Sequence, residues 1–164
     1  MDTVFIFLIE TPWYVYLILV YLIKIGVRSV KGGEVSLGKF YILPIVFLVM
    51  SIDEFVGTVH FSFPHVLIWL AGIVIGSYLL GWMPYRRLGI TANKEKKILF
   101  IPGSYFTLVL IIVTFAVKYY IGYTVAVSQS LSSGFIMGLL ILSGLFTGAF
   151  VGRLLYVLKV INQA

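Results

Sequence analysis

The sequence contains no cysteine and very few charged residues. Asp, Glu, Lys and Arg make up 11% of its 164 residues, whereas typical soluble domains have about 25%. Without cysteine, disulfides, zinc–thiolate sites, iron–sulfur clusters and thiol nucleophiles are excluded. So few charges cannot solvate a domain that is 61% hydrophobic, so a water-soluble fold is excluded. The sequence therefore predicts an all-α, polytopic membrane protein, and it indicates no cofactor.

Five apolar segments are long enough to cross a bilayer. A helix needs about 20 apolar residues to span a hydrocarbon core of about 30 Å. The segments lie at about 4–27, 40–59, 66–83, 98–120 and 134–160. We therefore expect a single integral membrane domain over residues 1–164, with five transmembrane helices.

Positive charge is concentrated in the connections that should lie on one side of the membrane. The positive-inside rule makes that side cytoplasmic, with the N-terminus outside and the C-terminus inside. Arg153 and Lys159 are assigned to the cytoplasmic tail, and Lys118 is the exception on the outer side. We expect a multi-pass protein of the bacterial cytoplasmic (inner) membrane, with lipids and not nucleic acid as its partners. The predicted cytoplasmic basic face consists of Arg28, Lys31, Lys39, Arg86, Arg87, Lys94, Lys96 and Lys97.

The two basic connections resemble each other when the sequence is shifted by 58 residues. Arg28 then aligns with Arg86, Lys39 with Lys97, and Pro44 with Pro102. Each unit has an even number of spans, so the copies would be parallel. We expect two hairpin repeats, at about 4–59 and 66–120, followed by an added fifth helix. The shared proline is interpreted as a helix-initiating residue, in preference to a bend near the cytoplasmic interface.

Small residues recur at every fourth position in two of the predicted spans. Such a row lets helix backbones approach closely in lipid, where no hydrophobic drive brings helices together. We expect the third and fifth helices to pack on each other, or a homodimer to form through the fifth. The residues of this predicted packing face are Gly72, Gly76, Gly144, Gly148 and Gly152.

Ionisable residues near the outer membrane surface are the candidate polar site. Asp53 lies about 21 Å along the second helix from Lys39, short of the outer surface. These ionisable residues form either an entrance or binding site for a cation, a proton or a polar solute, or a set of interfacial residues solvated by water and headgroups. The cluster consists of Asp53, Glu54, Glu10, Lys118, His60 and His65.

Metal and catalytic sites are not predicted. His60 and His65 with a carboxylate would be a permitted metal-ligand set. The connection between them, Phe61-Ser62-Phe63-Pro64, is apolar and rigid and does not present both rings on one helix face. No motif of a hydrolase, a nucleotide-binding loop or an intramembrane protease is present.

The pattern of basic connections and prolines resembles that of small bacterial membrane proteins of the CcdC-like type. The segments that carry the resemblance are Val27-Arg28, Lys39 to Pro44 and Ile101-Pro102-Gly103-Ser104, followed by a long span that ends at Lys118-Tyr119. That resemblance implies about five helices and a link to cytochrome c biogenesis, but thiol transfer does not carry over to a chain without cysteine. We expect a non-enzymatic assembly or partner subunit. The alternative is a small transporter or channel-like protein with its site near the outer leaflet.

Overall fold

The computed structural model describes residues 13–58, 62–93, 98–127 and 132–163. Most of these residues are helical, and three short strands lie between the helices. The described helices are α1 (Trp13–Lys31), α2 (Gly38–Thr58), α3 (Phe63–Arg86), α4 (Tyr105–Val127) and α5 (Ser133–Gln163), and the strands are β1 (Gly33–Ser36), β2 (Thr91–Asn93) and β3 (Ile98–Ile101).

Four of the described helices are long and apolar enough to cross a membrane. They cover residues 38–57, 63–86, 105–125 and 133–163. These spans show a helical protein with a membrane location. Residues 4–12 of the predicted first span lie outside the described residues, so the number of five spans and the orientation stay predictions.

The connections between the helices form a small sheet that the sequence reasoning did not predict. β3 is the central strand, and it pairs antiparallel with both β1 and β2. The predicted fourth span was wrong at its start, because Ile98–Ile101 is this strand and α4 begins only at Tyr105. A short run of isoleucine, leucine and phenylalanine suits a strand as well as a helix, and burial alternates along it as in a strand.

The third span is longer than predicted and contains a change of helix type. α3 is α-helical over Phe63–Gly76 and Met83–Arg86, and Ser77–Trp82 between them is π-helical. A π-helical turn inserts an extra residue into the helix and often marks a functional position. It changes which side chains of the last turns face the neighbouring helix.

The described chain divides into two compact units. Unit 1 comprises residues 1–32 and 103–128, and unit 2 comprises 33–102 and 129–164. In unit 1, α1 and α4 run antiparallel, because Gly26 lies against Leu108 while Gly103 lies against Val30. The Ser104 N–H donates to the Ser29 carbonyl at 2.9 Å and joins the two segments at that end.

In unit 2, α5 packs against both α2 and α3. α2 runs antiparallel to α5, since Ser51 contacts Ser143 and Phe47 contacts Phe150 further along. α3 runs parallel to α5, since Gly72 lies beside Gly144 and Gly81 beside Gly152. β2 also contacts α5, so the sheet lies at the end of the unit where α2 begins and α3 ends, which we call the sheet end.

Glycines bring the main chains of α3 and α5 into direct contact. A Cβ atom at Gly148 would overlap the main chain of Ile73, and one at Gly152 would overlap that of Ser77. The Ser77 hydroxyl donates to the Gly148 carbonyl at 3.0 Å across the same interface. Rows of small residues allow this close approach between membrane helices. The glycines in contact are Gly72, Gly76, Gly81, Gly144, Gly148 and Gly152.

The two prolines aligned by the repeat occupy different structures. Pro44 lies inside α2, whereas Pro102 lies between β3 and α4, outside any helix. The interpretation of the shared proline as a helix-initiating residue was therefore wrong, since Pro44 lies six residues after the start of α2 and Pro102 lies three residues before the start of α4. The Ser104 hydroxyl instead accepts a hydrogen bond from the Phe106 N–H at the start of α4. The compact units also differ in extent from the two predicted repeats, and the internal repeat stays a prediction.

Candidate functional site

Arg153 is a buried cation in a helix that is long and apolar enough to span a membrane. It lies on α5 in unit 2, and its side chain is 8% exposed. Its guanidinium carbon lies 4.9 Å from the ring centroid of Phe40 on α2 and 4.7 Å from that of Tyr85 on α3. Three helices thus meet at this arginine, and two of them supply aromatic rings that attract a cation electrostatically.

The guanidinium of Arg153 has unused hydrogen-bond donors. Its Nε and Nη1 atoms are buried and have no hydrogen-bond partner among the described residues. Removing a cation from water costs several kcal/mol, and a desolvated contact with one aromatic ring returns about 2 kcal/mol. The two rings offset part of the cost of burial, and hydrogen bonds to Nε and Nη1 would offset more.

Arg153 lies one bilayer core thickness along α5 from the start of the helix. It follows Ser133, the first residue of α5, by 20 positions, and at 1.5 Å per residue this is about 30 Å, the thickness of the hydrocarbon core. Its neighbour Tyr85 lies one residue before the end of α3. Arg153 therefore lies near the end of α3, at the sheet end of unit 2.

Exposed basic residues flank the rings that contact Arg153. Lys39 precedes Phe40 at the start of α2, and Arg86 and Arg87 follow Tyr85. All three side chains are exposed. Of the other residues in the predicted basic face, Arg28 and Lys31 are exposed in the last turns of α1, and Lys94, Lys96 and Lys97 lie outside the described residues.

The predicted outer cluster is described only in part. Asp53 is exposed on α2, His65 is half-buried in the first turn of α3, and Lys118 on α4 is 5% exposed. These three side chains have three different degrees of exposure, and Lys118 belongs to the other unit. Glu10, His60 and the side chain of Glu54 lie outside the described residues, so the cluster stays a prediction.

Within the described residues, the end of unit 2 where α3 begins offers no metal-binding group. His65 Nδ1 lies 3.0 Å from the Ser62 hydroxyl at the start of α3. No group of three His, Cys, Asp or Glu side chains in the described ranges could hold a metal ion. His65 is therefore occupied with a local contact at the helix start.

A family model matches residues 2–164, nearly the whole chain. The chain belongs to DUF6622, a family of unknown function. Neither a curated protein nor a solved structure matches it. The match shows no link between this DUF6622 member and the CcdC-like proteins that its pattern resembles.

Sequence reasoning missed the importance of Arg153 in this DUF6622 member. It assigned the residue to the cytoplasmic tail, although the predicted fifth span of 134–160 already included position 153. An arginine inside a predicted span is a candidate functional residue by its cost alone. The sequence therefore held a sign of the importance of Arg153, but only the folded structure shows that Phe40 and Tyr85 contact it.

Proposed function

We propose that this protein is a non-enzymatic membrane protein that acts as a partner subunit or assembly factor in the bacterial inner membrane. The partner is another membrane protein, and it docks on the outward face of the sheet, which is the exposed face that carries Phe100, Glu34 and Thr91. The observation that carries the proposal is an exposed aromatic side chain on this sheet, which is formed by the connections between helices.

The sheet has one buried face and one exposed face. Leu99 in the central strand is fully buried, whereas its neighbour Phe100 is 53% exposed. Phe100 is flanked across the strands by Glu34 and Thr91, which are also exposed. Exposed apolar residues on the spanning helices are covered by lipid, but the sheet is formed by the connections between helices. A large aromatic centre with a polar rim is typical of protein interfaces.

The alternative function, a transporter or channel for a cation, a proton or a small polar solute, needs a polar cavity that reaches Asp53. Asp53 is exposed on α2. The interior between α2 and α5 contains stacked Phe47 and Phe150 rings and the hydrogen-bonded Ser51 and Ser143 hydroxyls. This filled interior favours a static role for unit 2.

The proposal is tested by extracting the protein from its native membranes in polymer-bounded lipid discs and measuring particle mass and composition. The wild-type chain should copurify with a second protein in a fixed ratio. Phe100→Ser should weaken this complex about tenfold, as expected for loss of an interface aromatic. The matched control is Phe63→Ser, because Phe63 is 76% exposed at the opposite end of α3.

Three results would contradict the proposal. The first is a complex that survives Phe100→Ser, and the second is a wild-type particle with one chain or with two copies of this chain only. The third is ion flux into proteoliposomes that Asp53→Asn abolishes, because this would support the transporter instead.

A further inference from the structure

Arg153 combines burial with free hydrogen-bond donors in one side chain. It is 8% exposed, and its Nε and Nη1 atoms have no hydrogen-bond partner in the part of the chain that is described. Nε carries one N–H and Nη1 carries two. The described acidic side chains of unit 2, Glu34 and Asp53, are both exposed. An anion from outside the described chain would complete this arrangement.

The surroundings of Arg153 favour a phosphate group as that anion. The planar guanidinium forms charge-assisted hydrogen bonds with phosphate oxygens and suits them better than a lysine ammonium does. Exposed Lys39, Arg86 and Arg87 adjoin the two aromatic neighbours in the sequence and add positive charge at the sheet end. Arg153 lies about 30 Å along α5 from Ser133, which equals the thickness of the hydrocarbon core, so a span that begins at Ser133 would bring Arg153 to the phospholipid headgroups.

We propose that Arg153 binds the phosphate of an anionic phospholipid, with Phe40 and Tyr85 holding the guanidinium in place. The rings restrict the side chain, and the lipid phosphate accepts hydrogen bonds from Nε and Nη1 after neighbouring side chains shift to uncover these buried atoms. The bound lipid would link α2, α3 and α5 at the sheet end. This site is separate from the outward face of the sheet at Phe100, so either proposal can fail alone.

The test titrates phosphatidylglycerol into the purified full-length protein in detergent. Thermal unfolding and native mass spectrometry measure binding. One lipid should bind saturably and raise the unfolding midpoint, whereas diacylglycerol with the same acyl chains should not. Inorganic phosphate and glycerol 3-phosphate are added separately. An equal effect of either would assign the site to a free phosphate and overturn the lipid as its source.

Arg153→Lys keeps the charge and removes the planar guanidinium, so it should weaken phosphatidylglycerol binding about tenfold. The matched control is Lys159→Met on the same helix. Lys159 is exposed, and its Nζ lies 5.1 Å from the Trp82 ring centroid. This control should leave the affinity within about twofold. A loss in Lys159→Met without a loss in Arg153→Lys would show attraction by net charge, and a loss in Lys159→Met as large as that in Arg153→Lys would show no preference for Arg153; either result would contradict the proposal.

A measurement on the wild-type protein covers the case in which Arg153 variants do not fold. Phosphatidylglycerol with a photoreactive headgroup should label peptides that contain Phe40, Tyr85 or Arg153, and unlabelled lipid should compete. Labelling that is confined to other segments, or that diacylglycerol competes away equally well, would overturn the proposal.

Discussion

Helix α5 contacts its two neighbours in unit 2 in different ways. Against α3, glycines place main chain on main chain, as at Gly148 and Ile73. Against α2, side chains fill the space, with the Phe47 and Phe150 rings 4.4 Å apart and stacked. The interface between α5 and α3 has no room for added side-chain atoms, whereas the interface between α5 and α2 is held together by the side chains that fill it. Close packing between membrane helices is thus achieved here both by removing side chains and by fitting them together.

The largest expected effect is at the glycine interface. Gly148→Leu would place a side chain where the Ile73 main chain already lies, and neither backbone can move away cheaply. We expect a loss of more than about 4 kcal/mol in the free energy of unfolding, or no folded protein. Gly138→Leu on the same helix is the control, because an added Cβ there meets nothing within 4 Å. Thermal unfolding in one detergent compares the two, and equal losses would contradict the difference between the interfaces.

A smaller loss is expected at the interface with side-chain packing. Phe150→Ala removes a fully buried ring from its stack on Phe47 and leaves a cavity. The free energy of unfolding should fall by about 3 kcal/mol, and the protein should still fold. Phe63→Ala, at a ring that is 76% exposed, should change it by less than about 0.5 kcal/mol. If Phe150→Ala cost more than Gly148→Leu, the order of the two interfaces would be reversed.

The smallest effect is expected at the hydrogen bonds between α2, α3 and α5. The Ser51 hydroxyl accepts a bond from Trp69 Nε1 at 2.7 Å and lies 2.8 Å from the Ser143 hydroxyl. Ser51→Ala should cost about 1 kcal/mol, in the range of hydrogen bonds between membrane helices. The control, Thr124→Ala, removes an exposed hydroxyl that bonds only to the Tyr120 carbonyl of its own helix. A Ser51→Ala protein as stable as this control would show that the polar contacts add nothing to packing.

Features encoded in single segments were predictable from the sequence. The apolar runs predicted α2, α3 and α5 to within a few residues, because membrane insertion depends on local hydropathy. The spacing of glycines in the third and fifth spans predicted a helix interface, which in the structure includes Gly72 and Gly144. Gly81 was missed, since its role depends on the π-helical turn that carries it.

Features that depend on distant segments were not predictable. Glu34 pairs with Phe100 in the sheet, and the connection before α2 gives no local sign of that partner. Ile98–Ile101 continues an apolar run, so hydropathy assigned it to the membrane helix, whereas pairing with two other strands makes it a strand. The prediction of the candidate outer cluster rested on similarly limited information, because the position of a residue along its helix does not determine which side chains it contacts.

The sequence by itself determined that this is a helical membrane protein with basic connections, because the cost of placing charge and polar main chain in lipid acts on each segment separately. Only the tertiary structure decided that one of its few charged residues, Arg153, is buried. In the sequence, Arg153 is one of several basic residues. In the fold it is buried between Phe40 and Tyr85, and its Nε and Nη1 atoms have no hydrogen-bond partner among the described residues. The burial of Arg153 and its contacts with aromatic rings depend on residues that are 68 and 113 positions away, so no local pattern could show them.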